Sequence, residues 1–233
     1  MDALWTPRGS ISISLDISMS IARQTYITFA LLILTWIIAW TLKVYVLDSR
    51  FTWLNTSLGG FAFWTLAKLI VWILPALWLI RLSGRAVGDV LHVSNWKSAV
   101  AWGLGIGLVI ASTAVVPRVM RSQPLLTLQP TFAALNAVIV APIFEEFLLR
   151  GAVLGNLVRV HSLRTANIVS SLLFVSLHVP GWFFMGHVAE KLTAPLGGAF
   201  SIFALGLAFG YATHRSHSVA GGMVAHFVNN LAA

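Results

Sequence analysis

The chain of 233 residues is 58% hydrophobic and 9% charged, with no cysteine and a formal net charge of +8. An ordinary soluble domain is about 45–50% apolar and about 25% charged, so this composition, with a mean hydropathy of +0.86, describes a polytopic membrane protein. Disulfides, cysteine-ligated zinc and a thiol nucleophile are excluded, and the basic residues are scattered at the ends of apolar runs, which suits membrane orientation and lipid headgroups and implies no nucleic-acid partner.

In chain order, residues 1–25 read as a loose or amphipathic tail without a signal-peptide pattern, and residues 26–233 as a single transmembrane domain. The length allows an all-α bundle of about seven membrane helices at about 20 residues each. The first span is expected over Tyr26–Leu42, with Lys43, Asp48 and Arg50 at its exit. The second, about Phe61–Ile80, carries Lys68 and Pro75, so it is expected to be kinked with one polar face. Lys68 itself reads either as snorkelling to the headgroups or as turned inward.

A polar connector with Arg81, Arg85, Asp89, His92 and Lys97 leads to a third span over Ser98–Val116. Its Gly103, Gly105 and Gly107 suit close helix packing and lack the strand context of a nucleotide site. The fourth element opens at Thr131 or Asn136 and runs to about Val160; the fifth is expected over Thr165–Val179, followed by an aromatic loop with Trp182, Phe183, Phe184 and His187. Gly197–Thr213 reads as the sixth span, with Gly206 and Gly210 as a small-residue packing pair, and Ser218–Ala233 as a short helix tucked into the bundle. Basic residues are more frequent in the connectors on the side of the N-terminus, which favours a cytoplasmic N-terminus and a multi-pass protein of the cell membrane.

The stretch APIFEEFLLRG, Ala141–Gly151, stands out because Glu145, Glu146 and Arg150 lie within an otherwise membrane-spanning run. One ionised residue at the centre of a bilayer costs roughly 2.5–3.5 kcal/mol on insertion scales. On a helix Glu146 and Arg150 share a face and can pair, whereas Glu145 points about 100° away, toward the interior of the bundle. Glu145 is therefore the candidate working carboxylate and Glu146 with Arg150 a structural ion pair. The other polar groups at membrane depth are His178, four residues after Phe174 in FVSLH, and His226 with Asn230 in HFVNN.

A carboxylate, two imidazoles and a carboxamide in a water-poor cavity can activate water and stabilise an oxyanion, the requirements of amide hydrolysis. Each residue also has a plainer reading: His178 as a hydrogen-bonded buried histidine, His226 and Asn230 as glue between helices, and Glu145 as a second structural carboxylate. Ser170, Ser171 and Ser176 flank His178 without a nucleophile-elbow or Ser-x-x-Lys pattern, and no His-Glu-x-x-His helix is present.

These residues carry a resemblance. EEFLLR is similar to the EExxxR motif, FVSLH to FxxxH and HFVNN to HxxxN of the CPBP intramembrane protease family (CAAX protease and bacteriocin-processing, or Abi), in the same order. FALGLAFGY and the helix with Lys68, Trp72 and Pro75 also look like that family, so the resemblance covers about residues 61–230. It implies a membrane helix bundle with endopeptidase activity on a membrane-associated or lipidated substrate. It further implies that Glu145 and His178 activate water, that His226 and Asn230 form the oxyanion hole, and that Glu146, Arg150 and Phe174 support the site. Members have also been described as metalloproteases; zinc held by Glu145, His178 and His226 is the alternative to a reaction without a metal. A non-catalytic membrane protein, such as a proton-coupled carrier or a scaffold, would also bury Glu, Arg and His but would not need them to converge.

Overall fold

The computed structural model describes residues 15–124 and 129–232, and among them all regular structure is helical. Of the tail expected over residues 1–25, residues 1–14 lie outside the described residues, while the helical path of α1 (Met19–Arg50) already begins at Leu15. After it come α2 (Ser57–Leu82), α3 (Val87–Leu91), α4 (Trp96–Met120), α5 (Phe132–Leu157) and α6 (Leu163–Phe184). A short α7 (Val188–Thr193), then α8 (Ala199–Ser216) and α9 (Val219–Ala232) complete the order.

Five stretches are long and apolar enough to cross a membrane: α1, α2, α3 with α4, α5 and α6. The expectation of about seven crossings thus resolves into these five and two shorter helices. α8 ends in the polar turn Thr213–Ser216, and α9 is only 14 residues long. Both pack against the rest of the bundle, where Phe209, Ala212, Val219 and Ala225 are almost fully buried. Outward-facing Leu31, Leu34, Leu108 and Val109 are exposed, as side chains that meet lipid should be.

Close helix packing follows the glycines. A Cβ on Gly103 or Gly107 of α4 would lie 2.6 or 2.8 Å from the Cβ of Val224 or Val228, so these two glycines let α9 lie directly on α4, while Gly105 faces open space. α6 runs through Pro180 to Phe184, so Trp182, Phe183 and Phe184 belong to the helix and not to a loop. Its end is held against α1, where Trp40 stacks on Phe184 at 5.8 Å, within a cluster that also joins Trp36, Trp64 and Trp72.

Widened turns with five-residue hydrogen bonding occur at Leu69–Ile73 in α2 and at Asn136–Val140 and Phe147–Leu154 in α5. The second of these has an identifiable consequence. Ala141 donates to the Asn136 carbonyl, so in the same register the Ala137 carbonyl would be met by residue 142, which is a proline without an N–H. That carbonyl is free to accept a side chain from another helix.

At the N-terminal side of the bundle Arg85 fastens α5 in place. It donates to the carbonyls of Gly151 (2.9 Å) and Ala152 (3.3 Å) and to Asn156 Oδ1 (2.7 Å), while Asn156 donates onward to Thr25 of α1 and the Leu79 carbonyl of α2. Burial, then the charge of Arg159, pushes the Arg85 guanidinium below its usual value; Asp89 pulls it back up.

Candidate active site

α5 delivers Glu145 and Glu146 to the interior, and both are buried, as is Arg150. The pair foreseen from spacing is present. Arg150 Nη1 donates to Glu146 Oε1 at 3.2 Å, its Nε lies 3.2 Å from Oε2, and Nη2 donates to the Gly206 carbonyl of α8 at 2.7 Å. The guanidinium also lies over the Phe174 ring, 4.8 Å from its centroid, which gives Phe174 a second task beside packing. Gly206 makes this possible, since a Cβ there would lie 2.9 Å from Ser171 and 3.2 Å from Arg150 Nη2.

Glu146 does more than hold Arg150. Its Oε1 also takes Nδ1 of His226 at 3.0 Å, so one carboxylate ties α5 to α9. The His226 ring stacks on Phe209 of α8 (centroids 4.5 Å apart, 16° between planes), and its Nε2 lies 4.0 Å from Glu145 Oε2. With Nδ1–H donated to Glu146, Nε2 is a lone pair in the neutral ring and a donor only when the ring carries a second proton.

His178 on α6 is anchored through Nδ1, 2.9 Å from the Phe174 carbonyl. A carbonyl only accepts, so Nδ1 carries the proton and Nε2 keeps its lone pair, the form of a base or a metal ligand. Asn230 on α9 donates Nδ2 to the Ala137 carbonyl at 2.8 Å, filling the acceptor that Pro142 leaves open, and accepts from Asn229 Nδ2 at 2.8 Å. Its amide plane is thereby set, with one Nδ2 hydrogen left over.

Glu145, His178, His226 and Asn230 line one cavity of about 290 Å³. All four residues singled out as catalytic candidates are brought together with Phe174 in the cavity lining, and the supporting Glu146 and Arg150 stand behind them. Sequence reasoning left the orientation of Lys68 open and overlooked Asn136, Asn229 and Phe209, which share the cavity. For Phe209 a signal existed, because it lies in the FALGLAFGY segment; Asn136 and Asn229 show no pattern that would have marked them. Ser170, Ser171 and Ser176 each donate their hydroxyl to a backbone carbonyl, of Leu149, Asn167 and Leu173, so none is presented as a nucleophile.

Among the described residues no three His, Asp or Glu side chains form a group arranged to hold a metal ion. The set Glu145, His178 and His226 has suitable donor chemistry for zinc, and Glu146 on His226 Nδ1 would leave Nε2 as the ligand atom, but the three are not gathered at ligand spacing.

Residues 127–232 match the family model "Type II CAAX prenyl endopeptidase Rce1-like". This stretch is similar to an Rce1-like domain. The match agrees with the CPBP resemblance and contains all three motifs, so the similarity spans α5 to α9 of an integral membrane protein. The helix carrying Lys68, Trp72 and Pro75 lies outside the residues matched to the Rce1-like domain. Neither curated proteins nor solved structures returned a match.

Proposed function

We propose that the protein is an intramembrane endopeptidase that hydrolyses a peptide bond of a membrane-associated protein or peptide. The observation that carries this reading is the convergence of Glu145, His178, His226 and Asn230 on one cavity within a helix bundle. A carrier or scaffold has no need of that convergence.

In the proposed reaction a water molecule lies between the Glu145 carboxylate and His178 Nε2. Its oxygen adds to the scissile carbonyl carbon as a proton passes to Glu145, and the carbonyl electron pair moves onto oxygen. The remaining Nδ2 hydrogen of Asn230 and the doubly protonated His226 donate to that oxyanion, the imidazolium being balanced by Glu146 at 3.0 Å. Collapse breaks the C–N bond, and the leaving nitrogen takes the proton from Glu145. No metal takes part in this scheme.

The positive connectors around Arg81, Arg85, Arg159, Arg164 and Arg215 face the cytoplasm in this reading. Contacts between Arg85 and Gly151, Tyr26 and His161, and Ser218 and Leu91 support the gathering of those connectors at one end.

The test is turnover of a fluorogenic membrane peptide by purified protein in liposomes. Glu145→Gln keeps the shape of the side chain but removes the base, and should lower turnover by roughly 10² to 10⁴ in protein that still folds. A strong chelator should leave the wild-type rate unaltered. Full activity in Glu145→Gln would end the peptidase reading, and loss of activity with chelator that zinc restores would replace the mechanism by a metal-dependent one.

A further inference from the structure

Lys68 belongs to none of the three motifs, lies outside the residues matched to the Rce1-like domain, and has no task in the reaction above. It sits in the middle of α2, a crossing helix, where a lysine ordinarily extends along the helix to reach the headgroups. This one turns inward. It is 8% exposed and lines the same cavity as Glu145, His178, His226 and Asn230.

Its surroundings are specific. Nζ donates to Asn136 Oδ1 at 3.2 Å and lies 5.3 Å from the centroid of the Trp72 ring. An ammonium has three donors, and Asn136 takes one. Among the described residues no carboxylate lies within ion-pair distance of Nζ, and Glu145 lines the same cavity. Glu146 and Arg150 neutralise each other behind the cavity wall. The fixed charges that face the cavity are therefore Glu145 from α5 and Lys68 from α2, with His178 from α6 and His226 from α9 as the titratable rings beside them.

We propose that Lys68 is a positioning residue for the hydrolysis, holding Glu145 as its carboxylate and orienting, through the gap between the two, the water that Glu145 deprotonates. This rests on the peptidase reading. Lys68 neither gains nor loses a proton in the step; it donates to the water oxygen or to Glu145 while the water proton passes to the carboxylate. Asn136 and the Trp72 ring keep the ammonium in place on the face of α2 that packs into the bundle. Among the described residues Lys68 is the one lysine or arginine that lines this cavity, and Glu145 lines it too, so Glu145 rather than a substrate carboxylate is taken as the partner of Lys68.

Two measurements on purified protein in liposomes test this. With the fluorogenic membrane peptide, Lys68→Met should lower kcat on the order of 10- to 100-fold with KM nearly unchanged, and Lys68→Arg should recover part of the loss. Added methylammonium should partly restore Lys68→Ala, which a packing role would not allow. Independently of turnover, the melting temperatures of Lys68→Met, Glu145→Gln and the double variant should show coupling, the double losing less than the sum of the singles.

Strictly additive melting shifts would overturn the inference, as would full turnover in Lys68→Met. A Lys68→Met variant with unchanged kcat and raised KM only for peptides with a free carboxylate would also overturn it, and would assign the ammonium to the substrate. If wild-type protein cleaves no membrane peptide, the peptidase reading falls, while the melting series still reports whether Lys68 and Glu145 are coupled.

Discussion

Replacement of Arg150 by methionine is the most severe test of how this site is held together. Arg150 is fully buried, and its guanidinium makes two contacts to Glu146 at 3.2 Å and one hydrogen bond to the Gly206 carbonyl at 2.7 Å, and lies over the rings of Phe174 at 4.8 Å and Phe209 at 5.9 Å. Methionine fills much of the volume, so the main loss is electrostatic. Glu146 would remain as a buried carboxylate with His226 alone for a partner. Breaking one side of a buried pair costs about 3–5 kcal/mol, a large share of a typical total of about 5–15 kcal/mol. At about 2–4 °C per kcal/mol for a chain of this size, the melting temperature should fall on the order of 10 °C. The assay is a thermal melt in detergent for Arg150→Met, Glu146→Gln and the double variant. Because the damage comes from an uncompensated charge, the double variant should melt above Arg150→Met alone. A melt of Arg150→Met within error of the wild type, or a double variant no better than Arg150→Met, would refute the reasoning.

The site makes further predictions. Gly222→Ala places a Cβ 2.5 Å from Thr213 Oγ1 and 3.0 Å from Glu146 Oε2, so it should destabilise the protein by about 1–3 kcal/mol and lower turnover, read by melting and by peptide cleavage. Asn230→Ala should lower kcat by about 10² to 10³ with KM almost unchanged, because its remaining donor matters once charge has developed on the substrate oxygen. Pro142→Ala supplies an N–H that competes for the Ala137 carbonyl; freed from that anchor, Asn230 should support a lower kcat while the melting temperature holds or rises. Arg85→Met strips two backbone carbonyls and Asn156 of their donor without touching the cavity, so it should lower the melting temperature more than it lowers kcat/KM at a temperature where the protein is folded.

What could be read from the sequence was whatever depends on spacing within one helix. Glu146 and Arg150, Phe174 and His178, and His226 and Asn230 are each four residues apart, and a helix of any packing puts such pairs on one face. Charges in an apolar run had to turn inward, because lipid offers them no partner, and this was enough to foresee that three helices would present polar groups to one space. Relations between helices left little trace. The bond from His226 to Glu146 spans 80 positions, and no local pattern marks Asn136 or Asn229 as neighbours of Glu145. Helix boundaries misled for a related reason. Pro180 reads as a stop, yet α6 continues through it, since the loss of one backbone donor is tolerated where α1 packs Trp40 against Gly181 and Phe184.

Pro142 shows how the two kinds of information meet. Taken alone it is a helix perturbation four residues before Arg-paired Glu146. In the bundle, the widened turn over Asn136–Val140 brings the Ala137 carbonyl into register with the missing N–H, and Asn230 of α9 occupies the acceptor. The same helix carries Glu145 three residues beyond the proline. The backbone irregularity of α5 therefore sets the distance between the carboxylate proposed to activate water and the amide proposed to receive the oxyanion. In this arrangement the proline and the asparagine act as one unit, which is why Pro142→Ala and Asn230→Ala should be strongly non-additive in kcat: once Asn230 is gone, restoring the Ala137 hydrogen bond has nothing further to disturb.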